Sequence, residues 1–542
     1  MVYHFNKNRC VFVFVLIALF SASSKTTATI GDAVKTFPTP AQHPTGMAFD
    51  GKSIWLADAE TCQFYRINPE DGSVIQTLKT PGYDPKGLAW DGELLWCVDA
   101  KEGWIYGINV NSGIAEVILE SNTPDPGGLT FDGEFLWLVD NKEKQLLKIN
   151  RIDGMMHENI PAPSANSKGL AFDGKYIWIT DNVDDMLYRV CPTSGSVVTF
   201  FRSVGPYPYG ICWTGETLWC ADYQTCELYQ LNLTDSDFIR KRDSKVYQWT
   251  AMQEFRNYGP DVVEQLDVYM AIPGDLENQK MLEKIDYDPQ PFDFVTDRWN
   301  QKFAHFRFSN IRPGTFLKPK MKIKAEQCQV EYAIFPERVG KLSDIPEDIR
   351  KRYLDDAMKF DMSHPLIEDG AKAAVGAETH PYWMMRKIFD YICDKINYKL
   401  KPLGGWNPAP TVLKRGTGSC SEYTFIFIAL CRASGLPARY AGSIVVRSED
   451  KGVDDVFHRW AEVYLPNYGW IPVDVSAGDS PIPANRAKRI GVLYNKYLIT
   501  TKGGGDSEYL EFYYNFNARW KTKGRCRIYS TQFGEYVPVK GK

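Results

Sequence analysis

Two glycines and a serine lead into a cysteine at Gly416-Thr417-Gly418-Ser419-Cys420, and a long apolar run, Thr424-Phe425-Ile426-Phe427-Ile428-Ala429-Leu430, follows. The turn and the run predict a buried helix that begins at Cys420 and stops at Gly435-Leu436-Pro437. The free amides and dipole of a helix start favour a thiolate over a thiol, and the thiolate is the nucleophilic form. Downstream, Val456 to Tyr464 alternates like a strand, Pro466-Asn467-Tyr468-Gly469 reads as a turn, and Trp470 to Val475 reads as a second strand. In such a hairpin His458 and Asp474 come close to opposite one another, and a diagonal pair two places off is still within side-chain reach. Cys420, His458 and Asp474 therefore form a candidate nucleophile, base and orienter for acyl transfer.

At these residues the chain resembles the transglutaminase-like superfamily, relatives of the papain-like cysteine peptidases. The matching pieces are the G-x-G-x-C turn, Leu430 to Arg439, His458-x-Trp460-x-Glu462-Val463, and Gly469-Trp470-Ile471-x-Val473-Asp474. The resemblance implies that Cys420 attacks, His458 is the base and Asp474 orients it. It also implies an α+β core over residues 341–542, with no cofactor and no metal required. Peptidase, deamidase and transamidase all remain open, with hydrolysis favoured because water is the commonest nucleophile outside the cell. The loop before Cys420 is expected to line the cleft, and Trp406 in it is a candidate either for packing or for the oxyanion hole.

The elements that must carry this site belong to a multidomain chain of 542 residues. Lys+Arg and Asp+Glu number 63 and 67, a near balance that argues against a nucleic-acid partner. Residues 1–28 are expected to be a secretory signal, with Lys7 and Arg9 before the apolar run Val11 to Phe20; a short N-terminal anchor is the alternative. No later segment is long enough to span a bilayer, so the expected location is secreted, extracellular or periplasmic.

Residues 29–243 carry a repeat. Gly46, Gly87, Gly128, Gly169 and Gly210 recur every 41 residues, as do Trp55, Trp96, Trp137, Trp178 and Trp219, and Asp58, Asp99, Asp140, Asp181 and Asp222. Four short strands per unit predict a β-propeller of about five blades. Ala33 to Phe37 is in frame to close the fifth blade; Phe238-Ile239-Arg240, also in frame, leaves a sixth, irregular blade as the alternative. The repeated Trp and Asp are expected to be packing wedges and turn residues. A protein or glycan ligand on the propeller is expected beside a protein or peptide substrate at Cys420. Residues 244–340 predict a small antiparallel, sandwich-like β-domain, reached through a short charged linker at Arg240 to Ser244. After Asp474, Tyr497 to Thr500 and Phe512 to Phe516 are expected to finish the catalytic sheet. Twelve cysteines allow disulfides in a secreted protein without fixing any pair. The competing reading is a non-catalytic extracellular binding or structural protein in which the propeller does the recognising.

Overall fold

A computed structural model describes residues 29–234, 238–400 and 406–539. The expected signal at 1–28 lies outside the described residues. The structure is mostly β, with several four-stranded antiparallel sheets and six short to medium α-helices among the described residues.

The repeat folds into five four-stranded sheets. One of them runs Ser167–Phe172, Ile177–Asp181, Met186–Val190 and Val197–Arg202 in sequence order. The fifth takes its last strand from the start of the repeat region. β1 (Ala33–Pro38) pairs antiparallel with β2 (Glu227–Leu231), setting Phe37 against Leu228. Ile239 and Arg240 pair instead with Tyr332 and Glu331, so they supply no strand to a sixth sheet. The first strand of each sheet packs on the first strand of the next, and that of the fifth packs on that of the first.

The repeated residues explain this packing. A Cβ on Gly128 would stand 2.1 Å from the carbonyl oxygen of Lys168 in the next sheet. On Gly169 it would stand 2.3 Å from that of Tyr209, and on Gly210 2.5 Å from that of Thr45 in the first sheet. Backbone meets backbone there, and only glycine leaves room. The five tryptophans are all at most 2% exposed. Four of them donate their indole N–H to the aspartate of the preceding Asp-Gly turn, as Trp137 does to Asp132 at 2.8 Å. The other aspartates cap loops: Asp222 accepts from the backbone N–H of Tyr207 at 2.6 Å and of Thr225 at 2.8 Å.

The expected linker is absent. β3 (Ile239–Pro260) is one continuous strand of 22 residues that crosses it. Its charges are matched across the sheet, Arg242 by Glu331 and Lys241 by Glu277 at 2.6 Å. β4 (Val263–Ala271), β5 (Lys302–Ile311) and β6 (Lys320–Tyr332) fall within the stretch expected to be an antiparallel β-domain. They build two sheets whose inner residues, among them Trp249, Phe255, Leu266, Val268, Phe306 and Ile323, share one core.

The helical layer comprises α1 (Glu347–Tyr353), α2 (Pro365–Val375), α3 (Pro381–Lys395), α4 (Ala409–Arg415) and α5 (Cys420–Ala433). α4 falls within the stretch expected to be loop. α5 is buried over nearly its whole surface because helices flank it on one side and a sheet on the other. That sheet runs β10-β9-β7-β11, where β7 is Ala438–Val445, β9 is His458–Leu465, β10 is Gly469–Val473 and β11 is Tyr497–Gly503. Between β7 and β9 the short β8 (Gly452–Asp454) leaves for the sandwich.

The C-terminal residues depart from expectation. Phe512 to Asn515 form no strand, and β12 (Phe516–Thr522) pairs with β4, while β13 (Cys526–Pro538) pairs with β3. The last strands thus pair with β3 and β4 rather than with the sheet beside α5. The five-sheet array abuts the helical layer directly. Tyr382 Oη and Arg386 Nη1 on α3 each donate at 3.0 Å to the carbonyls of Val198 and Val197, and Lys488, just past α6 (Pro483–Ala487), pairs with Asp184 at 2.8 Å.

Candidate active site

Cys420 occupies the first position of α5, where backbone amides lack helical acceptors. Glu422, fully buried in the same turn, fixes the approach to it. Its Oε2 accepts from the Ser419 N–H at 3.0 Å, and its Oε1 accepts from the Asn407 N–H and from Arg415 Nη2, both at 3.0 Å. Helix start, preceding turn and cleft loop are tied to one carboxylate. The Ser419-x-x-Glu422 spacing is the sequence signal for such a cap.

His458 opens β9. The β9–β10 ladder runs from Leu465↔Gly469 to Ala461↔Val473. Continued by one pair, it would set Asp474 against Trp460, two residues from His458 and on the same face. The pair is therefore diagonal, and the side chains meet: His458 Nε2 lies 2.8 Å from Asp474 Oδ2. Ser476 donates to the other oxygen of Asp474 at 2.9 Å, and the Asp474 N–H donates to the Arg489 carbonyl at 2.9 Å. The Cys420 sulfur is close enough to the imidazole, and to the Arg459 backbone, for both to act on its thiol. The ring of Tyr497 stacks on the imidazole at 5.6 Å and 24°. The structure thus brings together all three residues singled out in the sequence.

The electrostatics follow from these contacts. Burial alone would raise the Cys420 thiol, but the hydrogen bond and charge of His458, with Arg459, bring it below its ordinary value. Burial pulls the His458 imidazole down; the charge and hydrogen bond of Asp474, then those of Cys420, outweigh it and carry it up to about 10. Burial pushes Asp474 up, and the His458 cation more than reverses this. Each contact shifts the row toward thiolate, imidazolium and carboxylate. Tyr398 stands close enough to sense it: burial, then the charges of Cys420 and Asp474, push its hydroxyl up to about 12, so it stays protonated.

Arg459 is a residue that the sequence motifs do not single out. It is 0% exposed, and among the described residues no carboxylate pairs with it. Its guanidinium packs on Tyr514 at 4.2 Å and on Trp406 and Tyr440 at 4.7 Å, and Nη2 donates to the Phe512 carbonyl. Nε and Nη1 have no partner. The sequence signal for it is a charge on the face that it shares with Ala461, Val463 and Leu465, which is otherwise apolar. Trp406, the candidate for packing or the oxyanion hole, stacks on Tyr514 at 5.7 Å and covers this guanidinium. Among the described residues no group of three or more His, Cys, Asp or Glu is placed to hold a metal ion. All eleven described cysteines are free thiols. Cys212 and Cys431 are buried, whereas Cys191 is half-buried at a turn.

Known proteins share parts of this architecture. Residues 369–475 match the model of the transglutaminase-like superfamily, a span that contains Cys420, His458 and Asp474, and a transglutaminase-like domain is present there. A stretch of 130 residues is 26% identical to an uncharacterized protein of Haemophilus influenzae, covering 20% of this chain and 35% of that relative. The match therefore spans about a third of the relative's length. Among solved structures, one provisionally described as a cysteine protease from Cytophaga hutchinsonii overlaps 56% of this chain and 94% of its own, with 15% identity and a TM-score of 0.41. The glutaminyl cyclase of Myxococcus xanthus overlaps 37% of this chain and 95% of its own, with 14% identity and a TM-score of 0.34. Virginiamycin B lyase of Staphylococcus aureus overlaps 36% and 68%, with 21% identity and a TM-score of 0.26. Overlaps this loose say nothing of function.

Proposed function

We propose that the chain is a cysteine-dependent acyl-transfer enzyme acting on peptide or glutamine carboxamide carbonyls of a protein substrate. The observation that carries this reading is His458 held between the Cys420 sulfur and the Asp474 carboxylate. The Cys420 thiolate attacks the carbonyl carbon, and the resulting oxyanion is received by the Cys420 backbone N–H at the helix start. The His458 imidazolium gives its proton to the leaving nitrogen as the C–N bond breaks, which leaves a thioester on Cys420. His458, now neutral, takes a proton from water; the hydroxide cleaves the thioester and releases the acid. An amine in place of water gives a new amide, and we favour water. Throughout, Asp474 holds the imidazole and stabilises its cation.

We further propose that the five-sheet array is a five-bladed propeller serving as a binding module for a protein or glycan, and that the protein is secreted. The succession of glycine contacts that returns from Gly210 to Thr45 supports the first of these. No helix among the described residues is long and apolar enough to cross a membrane. The test is alkylation by limiting iodoacetamide between about pH 5 and 9, mapped by mass spectrometry, where an ordinary thiol reacts mainly above about pH 8. Selective labelling of Cys420 near pH 6, lost in His458→Ala, is expected. Labelling of Cys420 no faster than of the other thiols would sink the reading. Ammonia release, fragment formation and amine incorporation with a glutamine-bearing peptide then separate deamidation, proteolysis and transamidation.

A further inference from the structure

A cavity of about 420 Å³ lies between β12 and β13. Phe516, Asn517 and Ala518 of β12 and Ser530, Thr531 and Gln532 of β13 line it. These are consecutive residues. On the face of a sheet only every second side chain would appear, so the cavity looks onto strand edges. β12 is the last strand of its sheet. β13 has β3 on one side, and on the other only β8, which covers Gly534 to Tyr536.

The open part of that edge has free hydrogen-bonding capacity. Gln253 of β3 stands opposite Gln532, but the Gln253 N–H donates away from β13, to the Pro319 carbonyl at 3.1 Å. Gln253 and Gln532 are thus a non-hydrogen-bonded pair, and the N–H and C=O of Gln532 point outward. Gly534, two residues on, has the same orientation, and there β8 takes the edge. After β8 the chain runs through Asp455, Val456 and Phe457, which also line the cavity, straight into His458. The unused edge of β13 therefore continues a ladder whose last β8 residue, Asp454, is four residues before His458.

We infer that the open edge of β13 at Ser530 to Gln532 receives an extended segment of the protein substrate as an added strand in line with β8. A bulky apolar side chain of that segment lies among Trp406, Phe457 and Trp520, and the segment is thereby led toward Cys420. Backbone pairing supplies affinity, and the aromatic wall selects the side chain. A glycan has no row of alternating amides to match the edge. This inference rests on the reading of Cys420 as an acyl-transfer nucleophile for protein substrates, but its test is one of binding.

The test uses the full chain carrying Cys420→Ala, with a reduced and carboxymethylated protein as a permanently unfolded probe. Hydrogen exchange at the Ser530 and Gln532 amides should slow at least about tenfold when the probe is bound. Gln532→Pro removes an N–H that the ladder does not use, a change tolerated on an edge, and should weaken binding at least about tenfold. Gln532→Ala, which keeps the N–H, should bind within about threefold of the parent. Trp520→Ala should weaken binding to probes rich in aromatic and aliphatic residues. Absence of binding, protection confined to other segments, or equal binding by the Pro and Ala variants overturns the inference. If Gln532→Pro fails to fold, as seen by its thermal unfolding, the exchange pattern of the parent still decides. Failure of Cys420 to alkylate selectively is a separate result and leaves this binding measurement standing.

Discussion

Cys97, Cys212 and Cys220 in the five-sheet array are 2% exposed or less, and Cys420 is 7% exposed, yet their thiols move in opposite directions. In the array burial raises each thiol, and the neighbouring charge adds to it: Asp99 for Cys97, Asp222 for Cys220. At Cys420 burial also raises, but an imidazolium and a backbone N–H outweigh it. The aspartates divide in the same way. Asp132 accepts from an indole N–H, which does not titrate, and serves as a turn residue. Asp474 is bound to an imidazole, which does titrate, so the pair stores a proton. Burial does not distinguish chemistry from architecture here; the titratability of the partner does.

The contrast is broken most forcefully at His458. Its replacement by Ala should lower turnover by about 10²–10⁴-fold and abolish selective alkylation near pH 6, while alkylation of Cys212 in unfolded protein stays unchanged. Next comes the pH profile. The upper limb of turnover should lie near pH 10, where the raised imidazole loses its proton. Asp474→Asn removes the charge that raises it, so that limb should move to lower pH. Linkage gives the matching stability signal. The folded imidazole lies above its unfolded value, so its contribution is complete below about pH 6.5 and is lost as pH rises toward 10. Thermal unfolding of the parent against His458→Ala across that window checks the sign.

A third experiment acts on the architecture alone. Gly128→Ala places a Cβ 2.1 Å from the Lys168 carbonyl and should destabilise by about 1–3 kcal/mol in denaturant titration, with the Cys420 alkylation profile unmoved. Arg459→Gln tests the unpaired cation beside the sulfur. Alkylation at pH 6 should slow by roughly tenfold, and Arg459→Lys should recover part of it; equal rates in all three would show that the guanidinium only packs. Asp132→Asn in the array should cost only about 1 kcal/mol and leave the site untouched.

Local pattern made much of this legible. The 41-residue spacing shows the four-strand unit, and the turn before an apolar run places Cys420 at a helix start. The hairpin left His458 and Asp474 within a diagonal reach, and they meet on that diagonal. What stayed hidden depends on distant pairing. Arg240 to Ser244 look like a linker because they are charged, yet their charges are answered by Glu331 and Glu277, far along the chain. Phe516 onward alternates like any strand, and nothing local says that it pairs with β4 rather than with the sheet beside α5. Arg459 was hidden because its cage of Trp406, Tyr440 and Tyr514 is assembled from three separate segments.

The pairing of β1 with β2 sets an order of assembly. β1 emerges from the ribosome first among the array's strands and finds its partner only when residue 231 has been made. Each earlier sheet can form from its own stretch of chain, but the fifth cannot. Until β1 returns, β2 presents an unpaired edge, a template for pairing with another molecule. The last step closes a loop of nearly the whole repeat region, so its entropy is repaid only at the end. An array built this way should unfold as one cooperative unit rather than fray sheet by sheet, as an open stack of repeats can. Deleting β1 should therefore promote association between chains before it destroys any single sheet.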